Sequence, residues 1–287
     1  MSGRYRSDGA QLSYVDAGAG MPVVFLHPTP LDHTYWRPLV DDLAGLRAIV
    51  PDLRGHGTSE LGGPLPAGAF DRVPDAPVLS MAQLAADVLA LLDQLVVPEA
   101  VFVGCSIGGY ALLELWRQAP KRMRGLAFVC SKPQPDAEPA LVKRAANIAL
   151  ARQSGVSAIF DGMAQLLIGE TARRRHPAII QELRARMTLT TEAFVSVQAG
   201  LAARPDSIPT VATIQAPVLA IAGGEDTAVA PADMEAFHAA PGGCEFHLLS
   251  DAGHFAAYEQ PQKVAALLAE WLREPDEVRE SAALAKP

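Results

Sequence analysis

Val101-Phe102-Val103-Gly104-Cys105-Ser106-Ile107-Gly108-Gly109 is the stretch whose reading decides the fold. An apolar, β-branched run ends in G-x-S-x-G, and from Ile107 the chain takes up a helical period that continues to residue 119. A serine on such a strand-to-helix turn stands at the N-terminus of the helix, and the flanking glycines let the strained turn close where a Cβ would clash. A serine hydroxyl is a poor nucleophile at neutral pH. It needs a base within hydrogen-bond reach, an acid orienting that base, and N–H donors for the oxyanion.

Outward from this turn, short apolar runs alternate with longer amphipathic stretches. Strands are predicted at 22–27, 48–51, 100–104, 125–130, 217–222 and 245–249, each bounded by Gly, Pro or a charge. Helices are predicted at 32–43, 80–95, 107–119, 231–239 and 260–272. In the second of these Ser80 is the N-cap, and Leu84, Val88, Leu91, Leu92 and Leu95 follow at helical spacing. The alternation implies an α/β fold: a mostly parallel, twisted sheet with helices on both faces. The rhythm breaks at 133–210, which holds no strand-like run and reads as helices around 137–153, 156–167, 177–187 and 192–203. This divides the chain into a core, 1–132 and 211–287, and an inserted helical cap, 133–210. Residues 62–78, rich in Gly and Pro, read as a surface loop. The charged, alanine-rich residues 274–287 are expected to fray.

Composition narrows the partners. A net charge of −8 with no compensating basic stripe argues against nucleic acid and anionic membranes. The densest basic run, Arg173-Arg174-Arg175-His176, reads as a solvated helix end. Three cysteines cannot form an even disulfide framework and lack metal-ligand spacing. Residues 1–16 carry no apolar segment of the signal-peptide kind, and no run approaches the ~20 residues of a membrane span. The expectation is a soluble, cytoplasmic protein.

The turn and its setting resemble the α/β-hydrolase family, whose chain order is serine, acid, histidine. The resemblance implies that the acid follows the strand 217–222. There Gly223-Gly224-Glu225-Asp226 matches the family's G-x-x-D turn and nominates Asp226, with Glu225 as the alternative and a helix-capping role as the structural reading. The base follows the last strand: Ala252-Gly253-His254-Phe255 carries the G-H-F/S signature, which nominates His254. His33, His176, His238 and His247 have no such setting. The resemblance also assigns the oxyanion donors to the backbone N–H of Ile107 and to the loop Phe25-Leu26-His27-Pro28-Thr29. Proline replaces the usual glycine at 28 and has no N–H, but the family's donor is the next residue, here Thr29. His27 reads as structural. Pro51-Asp52-Leu53-Arg54-Gly55-His56-Gly57-Thr58-Ser59 resembles the family's D-x-R-G-x-G-x-S loop, expected to be held by an Asp52–Arg54 pair.

Serine at 106 separates the chain from dehalogenase-like and epoxide-hydrolase-like relatives, which attack through aspartate there, and from dienelactone-hydrolase-like ones, which use cysteine. Cys105 reads as a small buried hydrophobe. The resemblance implies acyl transfer to water on a small-molecule ester or lactone, with no metal or organic cofactor, and points to small carboxylesterases and 3-oxoadipate enol-lactonases. The same triad serves C–C bond hydrolases, cofactor-free perhydrolases and haloperoxidases, and some ligand receptors keep the fold. Candidates to line an acyl pocket are Tyr35, Trp36, Phe160, Met163 and Leu167, with core packing as the alternative for each. Lys132, after Cys130-Ser131, is a candidate for a substrate carboxylate, with a solvated lysine as the alternative.

Overall fold

The computed structural model describes residues 1–273; the expectation for 274–287 lies outside them. Eight strands form one sheet: β1 (Ser2–Ser7), β2 (Ala10–Gly18), β3 (Met21–Leu26), β4 (Leu46–Pro51), β5 (Ala100–Cys105), β6 (Met123–Val129), β7 (Val218–Gly223) and β8 (Cys244–Leu249). Their spatial order is β1-β2-β4-β3-β5-β6-β7-β8. β1 and β2 pair antiparallel, as do β2 and β4, and every later pair is parallel. The central strands β5 and β7 are buried at every position. This is why their sequences are continuous apolar runs rather than alternations.

The six strands expected from the sequence are present with ends shifted by up to two residues. β1 and β2 were not expected. β1 is polar, with Tyr5 its buried aromatic, because an edge strand has one covered face. Its signal was the turn: Asp8 and Gly9 adopt φ of 42° and 73° between the paired Ser7 and Ala10, the Asp-Gly hairpin pattern.

The two faces of the sheet can be told apart at β6. A Cβ on Gly125 would meet the Trp271 ring at 2.8 Å, whereas a Cβ on Gly109 would meet Phe128 at 3.3 Å. Residues 125 and 128 point to opposite faces. The C-terminal helix Pro261–Arg273 therefore covers one face and the helix Ile107–Gln118 the other. Phe128 also stacks on Phe237 at 4.1 Å between centroids. Ser80 caps the helix Met81–Gln94 by accepting from Gln83 N–H, as its sequence implies. Residues 32–43 form two short turns, His33–Trp36 and Arg37–Val40, in place of a single helix.

Between β6 and β7 the chain makes a helical excursion with no strand: Glu138–Ser154, Ser157–Leu167, Glu170–Arg175, Ile179–Ala185, Thr191–Ala202 and Ile208–Val211. Glu170–Arg175 is the helix that the basic run ends. The parallel registers pair Leu26 with Gly104, Cys105 with Val129, Val129 with Ile221 and Gly223 with Leu249. The segments after β3, β5, β7 and β8 thus emerge along one carboxyl edge, where ligands gather in sheets of this kind. No helix among the described residues is long and apolar enough to cross a membrane.

Candidate active site

Ser106 follows β5 with φ 52° and ψ −117°, a conformation that a residue with a side chain adopts only under constraint. The constraint is close packing. A Cβ on Gly104 would meet the Gly108–Gly109 backbone at 2.6 Å, one on Gly108 would collide with the Leu26 carbonyl, and one on Gly109 would collide with Ser131. The glycines therefore let the first turn of the helix lie against β3 and the end of β6. Ser106 N–H donates to the Val129 carbonyl at 3.2 Å, and the Ser131 hydroxyl donates to the Ser106 carbonyl at 3.0 Å. The elbow is tied down from its neighbour strand.

Asp226 and His254 meet across 28 residues of chain: His254 Nδ1 lies 2.8 Å from Asp226 Oδ2. With Nδ1–H directed at the carboxylate, the lone pair of a neutral imidazole lies on Nε2. The other carboxylate oxygen, Oδ1, accepts from Ala228 N–H at 2.7 Å and Val229 N–H at 3.0 Å, which fixes the carboxylate plane. The alternative acid, Glu225, turns away and binds the N–H and hydroxyl of Thr171. Ser106, Thr29 and His254 are only 8%, 8% and 4% exposed, so the group lies enclosed.

The loop after β3 is organised by two buried histidines. His27 accepts from Leu53 N–H at Nε2, 2.9 Å, and its Nδ1–H faces the Pro28 carbonyl at 3.1 Å, so it braces the loop as a structural residue. His56 stands edge-on to it, ring centroids 5.1 Å apart. Its Nδ1–H donates to the Arg54 carbonyl and its Nε2 accepts from the Thr29 hydroxyl, both at 3.0 Å. Burial, reinforced by His27, pushes the His56 imidazole down to about 3. Among the described residues neither the Thr29 nor the Ile107 N–H is taken by a backbone carbonyl. His56 escaped the sequence reading because its partner Thr29 lies 27 residues away.

Several expectations are corrected. Arg54 does not pair with Asp52. It makes a buried two-pronged bond with Asp87, 2.8 and 2.6 Å, and also donates to the Ser7 carbonyl. Asp52 instead accepts from His33 and Thr58. Tyr35, Trp36 and Phe160 belong to the core, at 0%, 0% and 1% exposure. Tyr35 donates to Cys105 Sγ at 3.3 Å and packs on Trp36 and Phe255, and Phe160 packs edge-on against Phe194. Leu167 is buried too, while Met163 is half-buried against the same cluster. Lys132 is bound to Asp233 at 2.7 Å, so its charge already has a partner. Cys105 is fully buried, and burial pushes its thiol up, as its reading as a hydrophobe requires. Among the described residues one trio of ligating side chains, Asp32, His33 and Asp52, brings donor atoms within 4.8 Å. His33 and Asp52 are bonded to each other, and Asp32 caps Thr34.

The excursion is fastened to the segments after β3, β7 and β8. Arg186 donates to the carbonyl and hydroxyl of Thr34, Thr227 donates to the Leu166 carbonyl, and His254 N–H donates to the Leu167 carbonyl at 2.8 Å.

The alpha/beta hydrolase family model matches residues 23–267, and the chain belongs to that family. Over 95% of its length and 98% of the other, it superposes on a thermophilic esterase from Thermogutta terrifontis, solved with malate bound, at a TM-score of 0.84 and 30% identity. The enol-lactonase from Burkholderia xenovorans LB400 gives 0.83 at 25% identity, covering 95% of this chain and all of that one. The chain is also 28% identical, over 91% of its length, to the dihydrolipoyllysine-residue acetyltransferase component of the acetoin cleaving system of Cupriavidus necator, of which it spans 66%.

Proposed function

We propose that the protein is a serine hydrolase that cleaves a small carboxylic ester or lactone through an acyl-enzyme, with Ser106 as nucleophile, His254 as general base and Asp226 as its orienting acid. The observation that carries this reading is the 2.8 Å bond from His254 Nδ1–H to Asp226, at the edge where Ser106 is held at φ 52°. The bond leaves Nε2 free to take the Ser106 proton as Oγ forms its bond to the carbonyl carbon. Charge developing on the carbonyl oxygen is met by the N–H groups of Ile107 and Thr29. The imidazolium returns its proton to the leaving alkoxide, and the ester C–O bond breaks. Water then loses a proton to His254, attacks the acyl carbon and releases the acid with Ser106 restored. Side chains and backbone amides handle every proton and charge in this sequence. The helical excursion, residues 133–210, is the cap that covers the site, and its closeness favours small substrates.

Likeness to an esterase and an enol-lactonase supports this substrate class. Ser106→Ala should lower kcat on p-nitrophenyl esters by at least about a thousandfold without altering the fold. A fluorophosphonate should label the wild type at Ser106 and leave the variant unlabelled. A chain-length series of esters and lactones, run beside a vinylogous 1,5-diketone and with and without hydrogen peroxide, selects among the reactions the triad can serve. Undiminished turnover by Ser106→Ala overturns the proposal.

A further inference from the structure

Gly169 and Gly253 approach so closely that a Cβ on Gly169 would stand 2.7 Å from Gly253 N and 2.8 Å from Glu259 Oε2. Into this crossing Glu259 sends its carboxylate. Oε2 accepts from Gly253 N–H at 2.8 Å and Gly169 N–H at 3.1 Å, and Oε1 accepts from Phe255 N–H at 3.2 Å. Gly253 and Phe255 flank His254, whose own N–H is held by the Leu167 carbonyl. A single carboxylate thus grips the backbone on both sides of the base and joins it to the cap turn 167–169.

We propose that Glu259 is a positioning residue that sets His254 against Ser106 only while the cap turn 167–169 is docked, coupling cap closure to assembly of the base. The proposal rests on the reading of His254 as the base. Three N–H donors converge on the carboxylate, which serves them as a charged acceptor; protonation leaves a weaker, neutral acceptor whose O–H must be turned away from them.

The balance of its surroundings puts this change within the working range of pH. Burial pushes the carboxyl up to about 7, against the opposing pull of the three amides and of His254. Other charged and titratable groups face this region from each neighbouring element. Asp251 lies on the histidine loop, with Arg175, His176 and Glu182 on the cap helices. Glu225 and Asp226 lie on the acid turn, Tyr258 precedes Glu259, and Tyr35, Cys105 and Cys130 face the carboxyl from the turn after β3, the end of β5 and the end of β6. Arg175 is bound to Asp251 and His176 to Glu182, which leaves the Glu259 carboxylate bonded to backbone amides. A cavity of about 270 Å³ reaches it beside Tyr258 and Gln260.

The test compares wild type with Glu259→Gln across pH 5.5 to 8.5 on a p-nitrophenyl ester. At pH 8.5 the variant should show kcat lower by about tenfold with KM nearly unchanged. The gap should close as pH falls through 7, because the wild type loses the same charged acceptor. Gly169→Ala, whose methyl would press on the Gly253 backbone and on the Glu259 carboxylate alike, should lower kcat non-additively with Glu259→Gln. Amide hydrogen exchange on the wild type supplies a readout independent of turnover: corrected for intrinsic rates, Gly169, Gly253 and Phe255 should lose protection together as pH falls from 8 to 6. A pH-independent ratio between variant and wild type, or unchanged protection across that range, overturns the proposal. If Ser106→Ala retains full activity, the hydrolase reading fails, whereas the exchange result still decides whether the clamp exists.

Discussion

Replacing Asp226 by Asn changes one oxygen to an NH2 and leaves the shape intact. The structure says which oxygen. Asp226 Oδ1 holds the Ala228 and Val229 amides at 2.7 and 3.0 Å. Turning the new side chain so that its NH2 faced those donors would leave two N–H groups without an acceptor, at about 1–3 kcal/mol each. The asparagine carbonyl therefore stays on the amides and the NH2 faces His254. The imidazole must then offer a lone pair at Nδ1 and carry its proton on Nε2, where it cannot accept from Ser106. The expected loss is about 10⁴-fold in kcat, or ~5.5 kcal/mol of transition-state stabilisation. It should appear on p-nitrophenyl esters near pH 7.5, with the thermal midpoint close to that of the wild type. Glu225→Gln, which alters the hydrogen bonds to Thr171 and leaves the bond between Asp226 and His254 untouched, should stay within a few-fold of wild type. An Asp226→Asn enzyme keeping more than about a tenth of its activity, or a Glu225→Gln enzyme that loses it, would refute the reasoning.

Asp87→Ala leaves the Arg54 guanidinium, 1% exposed, without its carboxylate, and should cost about 3–5 kcal/mol in urea unfolding. A cost below about 1 kcal/mol would mean that water reaches the arginine. His56→Phe removes the acceptor of the Thr29 hydroxyl and should lower kcat by roughly fivefold, the worth of one neutral hydrogen bond. Because His56 is pushed down to about 3 in the fold and titrates near 6.5 unfolded, the unfolded chain binds more protons between those values. Wild-type stability should fall below pH 6.5 by about 1.4 kcal/mol per pH unit from this histidine, with buried His27 acting in the same direction. His56→Phe should have the shallower acid slope, and equal slopes would contradict the assignment.

Much of the fold was legible because its signals are local. Six strands and the elbow helix are set by apolar runs and their punctuation. The polar edge strand β1 hid behind one buried tyrosine, although the Asp8-Gly9 turn marked the hairpin. The candidate acid and base were legible through motifs whose glycines serve backbone crossings, as at Gly223 and Gly253, where a Cβ would collide with backbone atoms. The proposed lining residues were less legible, since an aromatic on an amphipathic stretch reads the same whether it faces a core or a pocket.

The sequence by itself determined the strained serine turn, the places of Ser106, Asp226 and His254 after three of the strands, and the alternation that makes a parallel sheet. Each is written in neighbours a few residues apart. The tertiary structure alone decided that Arg54 answers Asp87 rather than Asp52, that Lys132 is bound to Asp233, that His56 stands under Thr29, and that Glu259 joins Gly169 to the histidine loop. These partners are 33, 101, 27 and 90 residues apart. A charge or an imidazole in the sequence states what it can bond, but the register of the sheet and the path of the cap decide which partner comes within 3 Å.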